Sequence, residues 1–247
     1  MHDDTFLLLG SGEFEPWAHE VESRTLGGAS GDGSVVIVPT ASAKEGDAVF
    51  DRWGTLGLAH FAEVGVPAEV LPVRTRDDAM RADLAARAGS ASMIYFSGGK
   101  PQHLADVLRG SPLLDAIFAA QRRGAVYAGC SAGAMVASRA RDGRRGTSWL
   151  FGLGMVANVS FGVHWDRLQR LPGAAWWMTS RIPEGSWFVG IDERTAIVGD
   201  GRTWDVAGLG SVSVRRDDEK ATYRAGDRFM TPVGDAPPAA SPPQASR

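Results

Sequence analysis

The stretch GAVYAGCSAGAMVAS, residues 124–138, decides the fold of this chain and holds its first candidate for chemistry. Residues 125–130 form an apolar run typical of a strand that is buried on both faces, and residues 132–139 have helical spacing. Between them, residues 129–133 read Gly-Cys-Ser-Ala-Gly and match the G-x-S-x-G pattern, in which a serine occupies a strained turn from strand to helix. The stretch therefore predicts a strand–turn–helix unit with Ser131 at the turn.

The glycine spacing distinguishes between the adjacent Cys130 and Ser131 as nucleophiles. A strained turn needs small residues two positions before and two positions after the nucleophile, so that the two backbones can pass. Ser131 has Gly129 and Gly133 at those positions, whereas Cys130 has alanines. The spacing favours Ser131 and predicts that Cys130 is a small apolar core residue. A close-packed junction without chemistry is the alternative interpretation.

The rest of the chain alternates apolar runs with helical patterns. Runs that read as buried strands cover residues 5–10, 34–40, 68–73, 92–99 and 125–130, and helical spacing covers 44–65, 76–89, 101–109, 112–123 and 132–139. This alternation predicts an α/β fold with three layers, α/β/α, around a mostly parallel sheet. After residue 185 the runs are short and separated by Gly or Asp turns, which predicts C-terminal β-hairpins that complete or extend the sheet.

Length and charge restrict the organisation and the partners of the chain. The 247 residues suit a single domain over 1–233, and the Pro- and Ala-rich tail 234–247 is expected to be disordered. The net charge of −3 gives no basic excess, so a nucleic-acid partner is not expected. The one dense basic cluster is interpreted as a solvated loop and consists of Arg139, Arg141, Arg144 and Arg145.

Several patterns argue against a membrane, a metal or a nucleotide cofactor. A single cysteine permits no internal disulfide, and the acidic start lacks the features of a signal peptide, which together suggest a cytoplasmic protein. No run approaches the roughly 20 apolar residues of a membrane span. No two of the five histidines share a ligand-like spacing with a cysteine or carboxylate. Gly10 and Gly12 are followed by Glu15 where a dinucleotide-binding motif has glycine.

A serine nucleophile needs a base and a group that orients the base. His164 ends an apolar stretch in FGVHWDRLQRL, and Asp192 and Glu193 form an acid pair in FVGIDERTAIV. An acid pair between apolar flanks is unusual, because an isolated buried acid is costly. The order Ser, His, acid argues against an α/β-hydrolase, in which the acid usually precedes the histidine. The residues alone leave open which of the two acids serves.

Several separated segments together resemble the peptidases of dipeptidase E and cyanophycinase. They occur in the family's order and are LLLGSGEF (7–14), VVIVPTASA (35–43), IYFSGGKPQHLADVL (94–108), AGCSAGAM (128–135), VHWDRL (163–168) and GIDERTAIV (190–198). The resemblance implies the class I glutamine amidotransferase-like fold, a flavodoxin-like α/β/α architecture. It also implies a serine hydrolase with no cofactor that acts on small peptides or isopeptides of aspartyl or β-aspartyl type. Since related enzymes are often dimers, it implies a homodimer as well.

The same resemblance implies roles for individual residues. Ser131 would be the nucleophile, His164 the general base and acid, and Glu193 the carboxylate that orients the histidine. The family's paired glycines fall on Gly98 and Gly99.

Backbone N–H groups at this glycine pair and at Ala132 would form the oxyanion hole, because developing negative charge needs preorganised donors. Glu13 directly follows Gly10 and Gly12, where the family also has an acidic residue, and a structural role is expected for it.

The chain departs from the family where a substrate would be held. After the paired glycines the family has Asp-Gln or Asn, whereas this chain has Lys100, Pro101 and Gln102. Lys100 and Gln102 are therefore candidate substrate-binding residues. Arg167 and Arg170 are further candidates, since a guanidinium can bind a substrate carboxylate with two hydrogen bonds.

Two other functions stay open at this point. One is a cysteine-dependent amidotransferase that uses Cys130, although no synthetase domain is visible in the sequence. The other is a catalytically silent member that binds a metabolite, although such a protein would have no need of an intact Ser, His and Glu set.

Overall fold

The computed structural model describes residues 5–139 and 152–232. Its strands are β1 (Thr5–Leu9), β2 (Val35–Val38), β3 (Ala68–Val70), β4 (Met93–Phe96), β5 (Val126–Cys130), β6 (Val159–Gly162), β7 (Trp187–Ile191), β8 (Thr195–Gly199), β9 (Thr203–Gly208), β10 (Ser211–Arg216), β11 (Glu219–Arg224) and β12 (Arg228–Met230). Its helices are α1 (His19–Gly27), α2 (Asp47–Glu63), α3 (Arg76–Ala79), α4 (Ala82–Ser90), α5 (Pro101–Leu108), α6 (Pro112–Arg122), α7 (Ala132–Val136), α8 (Trp165–Arg170) and α9 (Ala174–Thr179). Most of the predicted arginine loop and the whole predicted tail, 234–247, lie outside the described residues.

The main sheet contains the five strands predicted from continuous apolar runs. Its order is β12-β9-β8-β1-β5-β4-β2-β3. The ladders from β1 through β5, β4 and β2 to β3 are parallel, and β8 pairs antiparallel with β1. Helices cover both faces, so the strands are apolar on both sides rather than alternating. The predicted α/β fold with a mostly parallel sheet is confirmed.

Successive residues of each strand face opposite layers. Leu7 and Cys130 belong to the apolar cluster under α1 and α2. Leu8 and Tyr127 belong to the cluster on the other face, which includes residues of α4 to α7 and of the second sheet. Cys130 is therefore a core residue, as the glycine spacing predicts.

The C-terminal hairpins are present, but they divide between two sheets. Strands β8, β9 and β12 extend the main sheet, whereas β7, β10 and β11 join β6 in a second sheet of order β11-β10-β7-β6. Val189 and Val212 of this second sheet pack in the same apolar cluster as Leu8 of the main sheet. Short runs between turns do not specify a partner strand, so the sequence pattern could not separate the two sheets.

Several helices differ from the sequence prediction, and α8 and α9 lie outside every predicted helical range. The helical pattern over 76–89 divides into α3 and α4, and Thr75 and Asp78 form a reciprocal capping box at the start of α3. Helix α1 was not predicted, because its nine residues include only two large apolar side chains, Val21 and Leu26.

Helices α1 and α2 are joined by a buried polar pair. His60 Nε2 contacts Glu22 Oε2, and each side chain is only 2% exposed. A buried polar pair needs both partners, because removing one leaves an unpaired polar group in the core.

We expect His60→Ala to lower the free energy of unfolding by about 3–5 kcal/mol, because Glu22 loses its buried partner. The double replacement Glu22→Leu with His60→Phe should cost less, since neither member of the pair is then left without the other. Urea denaturation followed by circular dichroism measures both. Glu63→Ala is the control, because this carboxylate is 67% exposed. An equal loss of stability in His60→Ala and Glu63→Ala would contradict the role of the buried pair.

Candidate active site

The turn between β5 and α7 holds Ser131 in a rare backbone conformation, with φ 50° and ψ −106°. A Cβ on Gly129 would lie 2.6 Å from the carbonyl carbon of Gly133, and a Cβ on Gly133 would lie 2.5 Å from the carbonyl oxygen of Phe96. Neither position has room for a side chain. The strained turn predicted from the glycine spacing is therefore present, with Ser131 partly exposed at its tip.

Ser131, His164 and Glu193 form a hydrogen-bonded row. Ser131 Oγ lies 3.2 Å from His164 Nε2, and His164 Nδ1 lies 2.8 Å from Glu193 Oε1. His164 precedes α8 with a left-handed backbone, φ 48° and ψ 40°, and Glu193 lies in the turn between β7 and β8. The His164 and Glu193 side chains are 39% and 23% exposed, so solvent reaches the row.

The two adjacent acids face different partners. Asp192 Oδ2 accepts hydrogen bonds from the backbone N–H and the hydroxyl of Ser211, at 3.0 and 2.6 Å. Glu193 is the acid that contacts His164. The pairing of β7 with β10 brings Ser211 to Asp192, so the two acids have different contacts.

Two residues of α8 hold Glu193 in place. Arg167 Nε lies 2.9 Å from Glu193 Oε1, the same oxygen that contacts His164. Asp166 Oδ1 accepts a hydrogen bond of 3.1 Å from the Glu193 backbone N–H. Arg167 was expected at the substrate, and its side chain is 69% exposed, but its Nε is bonded to Glu193. Arg170 lies one turn further, with Nη2 4.0 Å from Asp166 Oδ2.

Sequence reasoning missed Asp166. The sequence shows only that Asp166 lies two residues after His164. This spacing does not reveal that Asp166 accepts a hydrogen bond from the Glu193 backbone.

The glycine pair follows β4 and passes close to the turn between β5 and α7 that holds Ser131, which we call the elbow. A Cβ on Gly98 would lie 3.4 Å from Ser131 Cβ. Gly99 has φ 138°, and a Cβ there would lie 2.5 Å from the carbonyl carbon of Ala41. Gly99 therefore requires glycine, Gly98 has little room for a side chain, and the loop runs directly beside the predicted nucleophile.

The backbone donors of this loop are not equivalent. The Gly98 N–H, expected at the oxyanion, instead donates to Glu13 Oε1 at 2.8 Å. The N–H groups of Gly99 and Ala132 have no acceptor within the described parts of the chain. The buried Glu13 carboxylate accepts from the donor that faces it, and that donor is the Gly98 N–H. The expectation that this N–H serves the oxyanion is corrected accordingly. Of the three residues expected at the oxyanion hole, Gly99 and Ala132 have backbone N–H groups that no acceptor in the described residues occupies.

The two candidate residues after the glycine pair lie at the start of α5. Lys100 is exposed, and within residues 5–139 and 152–232 its ammonium has no ion-pair partner. Its backbone N–H donates to Ala41 O at 2.8 Å. Gln102 is also exposed, and its Nε2 donates to Asp106 Oδ1 at 2.7 Å along the helix. The Gln102 side chain is thus bonded within its own helix, whereas the Lys100 ammonium has no ion-pair partner in the described residues.

Cys130 is completely buried in the apolar cluster under α1 and α2. Its S–H donates to Glu13 Oε2 at 2.9 Å. Burial first, and then the nearby Glu13 carboxylate, raise the pKa of the Cys130 thiol well above its usual range. A nucleophilic cysteine needs an accessible thiolate, so this environment argues against the amidotransferase alternative.

The described residues contain neither a candidate metal site nor a candidate membrane span. No group of three or more His, Cys, Asp or Glu side chains in these residues is placed to hold a metal ion. None of the described helices has the length and apolar character needed to cross a bilayer.

Known proteins resemble this chain over most of its length. The model of peptidase family S51 matches residues 6–204. A cyanophycinase of Trichormus variabilis is 28% identical over 225 residues, which cover 84% of this chain and 72% of the relative. A cyanophycinase of Geminocystis herdmanii is 29% identical over 224 residues, which cover 84% of this chain and 79% of the relative.

Two solved structures are also similar to this chain over most of its length. A peptidase from an acI-B1 Actinobacterium superposes with a TM-score of 0.84 at 30% identity, over 92% of this chain and 97% of the other. A putative peptidase E protein from Listeria monocytogenes superposes with a TM-score of 0.60 at 17% identity, over 85% of this chain and 100% of the other, and shares the fold. Since the family model covers well over half of the sequence, the chain belongs to peptidase family S51.

Proposed function

We propose that this chain is a serine peptidase that forms an acyl-enzyme on Ser131, with His164 as general base and acid and Glu193 as the orienting carboxylate. The observation that carries the proposal is the row of contacts from Ser131 Oγ to His164 Nε2 at 3.2 Å and from His164 Nδ1 to Glu193 Oε1 at 2.8 Å. Both distances allow hydrogen bonds, and a nucleophile, a base and an orienting acid in this order are what serine acyl transfer requires.

In the proposed reaction, Ser131 Oγ attacks the carbonyl carbon of the scissile bond while His164 Nε2 takes its proton. The developing oxyanion accepts from the N–H groups of Gly99 and Ala132, which have no other acceptor in the described residues. Collapse of the tetrahedral intermediate breaks the C–N bond, and His164 gives the proton to the leaving amine. Water, deprotonated by His164, then releases the acid product and restores Ser131.

Glu193 acts through His164. Its Oε1 accepts from Nδ1, which leaves Nε2 free to accept the serine proton, and it stabilises the imidazolium that forms. Arg167 bonds the same carboxylate oxygen and Asp166 bonds the Glu193 backbone, so the carboxylate is held from two sides. We expect this support to matter for the rate of the reaction, since a misplaced orienter misaligns the base.

The proposed substrates are small peptides or isopeptides of aspartyl or β-aspartyl type. The support is the similarity to cyanophycinases and the exposed Lys100, which directly follows the glycine pair and has no ion-pair partner among the described residues, so that it suits a substrate carboxylate. An ammonium and a carboxylate form a charge-assisted hydrogen bond, and this contact would select acidic substrates.

Labelling with a fluorophosphonate tests the nucleophile, because this probe reacts with activated serines. We expect Ser131→Ala to abolish labelling, since no other described side chain has the geometry to replace Oγ. Cys130→Ala should still be labelled, because its thiol is buried in the core. Retained labelling in a folded Ser131→Ala protein would refute the proposal, and the site of modification is read by peptide mass spectrometry.

Removing Arg167 tests the support of Glu193. We expect Arg167→Ala to lower kcat by about tenfold with little change in stability, because the Glu193 carboxylate loses one of its anchors. Arg87→Ala is the matched control, since Arg87 forms a comparable surface pair with Glu69 away from the site. If both variants keep the native kcat on the best peptide found, Arg167 has no part in orienting the acid.

Replacing Lys100 tests the substrate class. On a library of aspartyl and β-aspartyl dipeptides, we expect Lys100→Ala to raise KM by about tenfold and to leave kcat less affected, because a ground-state carboxylate contact is lost. Lys220→Ala, a substitution of an exposed lysine on β11, is the control. Liquid chromatography with mass spectrometry quantifies the products. An unchanged KM in Lys100→Ala would exclude this lysine from substrate binding.

A further inference from the structure

Glu13 lies where three segments around the proposed nucleophile meet. It follows the turn after β1, and only 8% of its surface is exposed. Its Oε1 accepts from the Gly98 N–H at 2.8 Å, and its Oε2 accepts from the Cys130 S–H at 2.9 Å. A buried carboxylate is costly unless its oxygens are bonded, and here each oxygen has a donor. Glu13 thus links the first turn, the glycine loop and the elbow.

The contact with Gly98 determines how the glycine loop sits beside the elbow. A Cβ on Gly98 would lie 3.0 Å from Glu13 Oε1 and 3.4 Å from Ser131 Cβ, so the carboxylate and the nucleophile both lie close to this glycine. Because the Gly98 N–H is bonded to Glu13, it cannot serve a substrate oxygen. The next peptide, at Gly99, has an N–H with no acceptor among the described residues and a φ of 138° that few residues other than glycine adopt.

Cys130 supplies the second anchor of Glu13 from the strand that ends at the elbow. The thiol is fully buried, and its raised pKa keeps it protonated, so it acts as a donor. Cys130 directly precedes Ser131 in the chain. The carboxylate is therefore bonded to the glycine loop through one oxygen and to the nucleophile's own strand through the other.

We infer that Glu13 is a positioning residue of the oxyanion hole. It holds the Gly98–Gly99 loop against the Ser131 elbow, so that Gly99 and Ala132, and not Gly98, supply the oxyanion donors. The inference rests on the proposed function, because an oxyanion forms only if Ser131 is acylated. A donor that is misplaced by an ångström loses much of its effect, so a loosened loop is expected to cost about 10²-fold in rate.

The rate of fluorophosphonate labelling tests the inference without knowledge of the substrate, because the phosphonyl oxygen occupies the oxyanion position. We expect Glu13→Ala to label about 10²-fold more slowly than the native protein. Glu13→Gln should stay within about threefold, since its amide oxygen still accepts from Gly98 while its NH₂ faces the Cys130 sulfur. Glu13→Asp keeps the charge but is one methylene shorter, so we expect a loss of about tenfold.

Glu22→Gln is the matched control. Glu22 is also buried on the α1–α2 side of the sheet, but it contacts His60 and not the glycine loop. We expect Glu22→Gln to lower the melting temperature and to leave the labelling rate within about twofold of the native rate. If Glu13 had only a structural role, the labelling rate would fall together with the melting temperature in the Glu13 variants and in Glu22→Gln alike.

Hydrogen–deuterium exchange reports the contact independently of chemistry. We expect peptides that contain Gly98 and Gly99 to exchange faster in Glu13→Ala and Glu13→Asp than in Glu13→Gln. Native labelling rates in folded Glu13→Ala or Glu13→Asp, or unchanged exchange of this loop, would overturn the inference. If the native protein is not labelled at all, the proposed function fails, and the exchange measurement still decides whether Glu13 holds the loop.

Discussion

The close approach of Gly133 to the Phe96 carbonyl is the constraint on which the site depends. A Cβ on Gly133 would lie 2.5 Å from that oxygen. The first turn of α7 can therefore pack against the end of β4 only because residue 133 is glycine. This contact places Ser131 beside the Gly98–Gly99 loop, which continues directly from β4. The strained backbone of Ser131 is then supported by the β5 ladder on one side and by α7 on the other.

The direction of the strands explains why distant segments meet. The turns after β1, β4 and β5 lie at one edge of the main sheet because these strands are parallel, and loops at the carboxyl ends of parallel strands form the usual binding crevice. The second sheet follows the same rule. Strands β6 and β7 are parallel neighbours, so His164 and Glu193, which come just after them, reach the same edge.

Part of the site was predictable because its signals are local. Glycines two positions on either side of Ser131 identify the elbow, and the five buried strands appear as continuous apolar runs. The bonds made by Glu13 and Asp166 were not predictable, because each connects residues that are distant in the chain: 85 positions separate Glu13 from Gly98, and 27 separate Asp166 from Glu193. Nothing in a local pattern shows which backbone N–H a carboxylate will face.

The sequence by itself determined the α/β architecture, the elbow and the preference for Ser131 over Cys130, because periodicity and steric requirements at glycine act over a few residues. The tertiary structure alone decided that Glu193 and not Asp192 contacts His164, that the Gly98 N–H is bonded to Glu13, and that the C-terminal strands form two sheets. These outcomes depend on strand pairing and on the burial of particular oxygens, which exist only once remote segments have packed together.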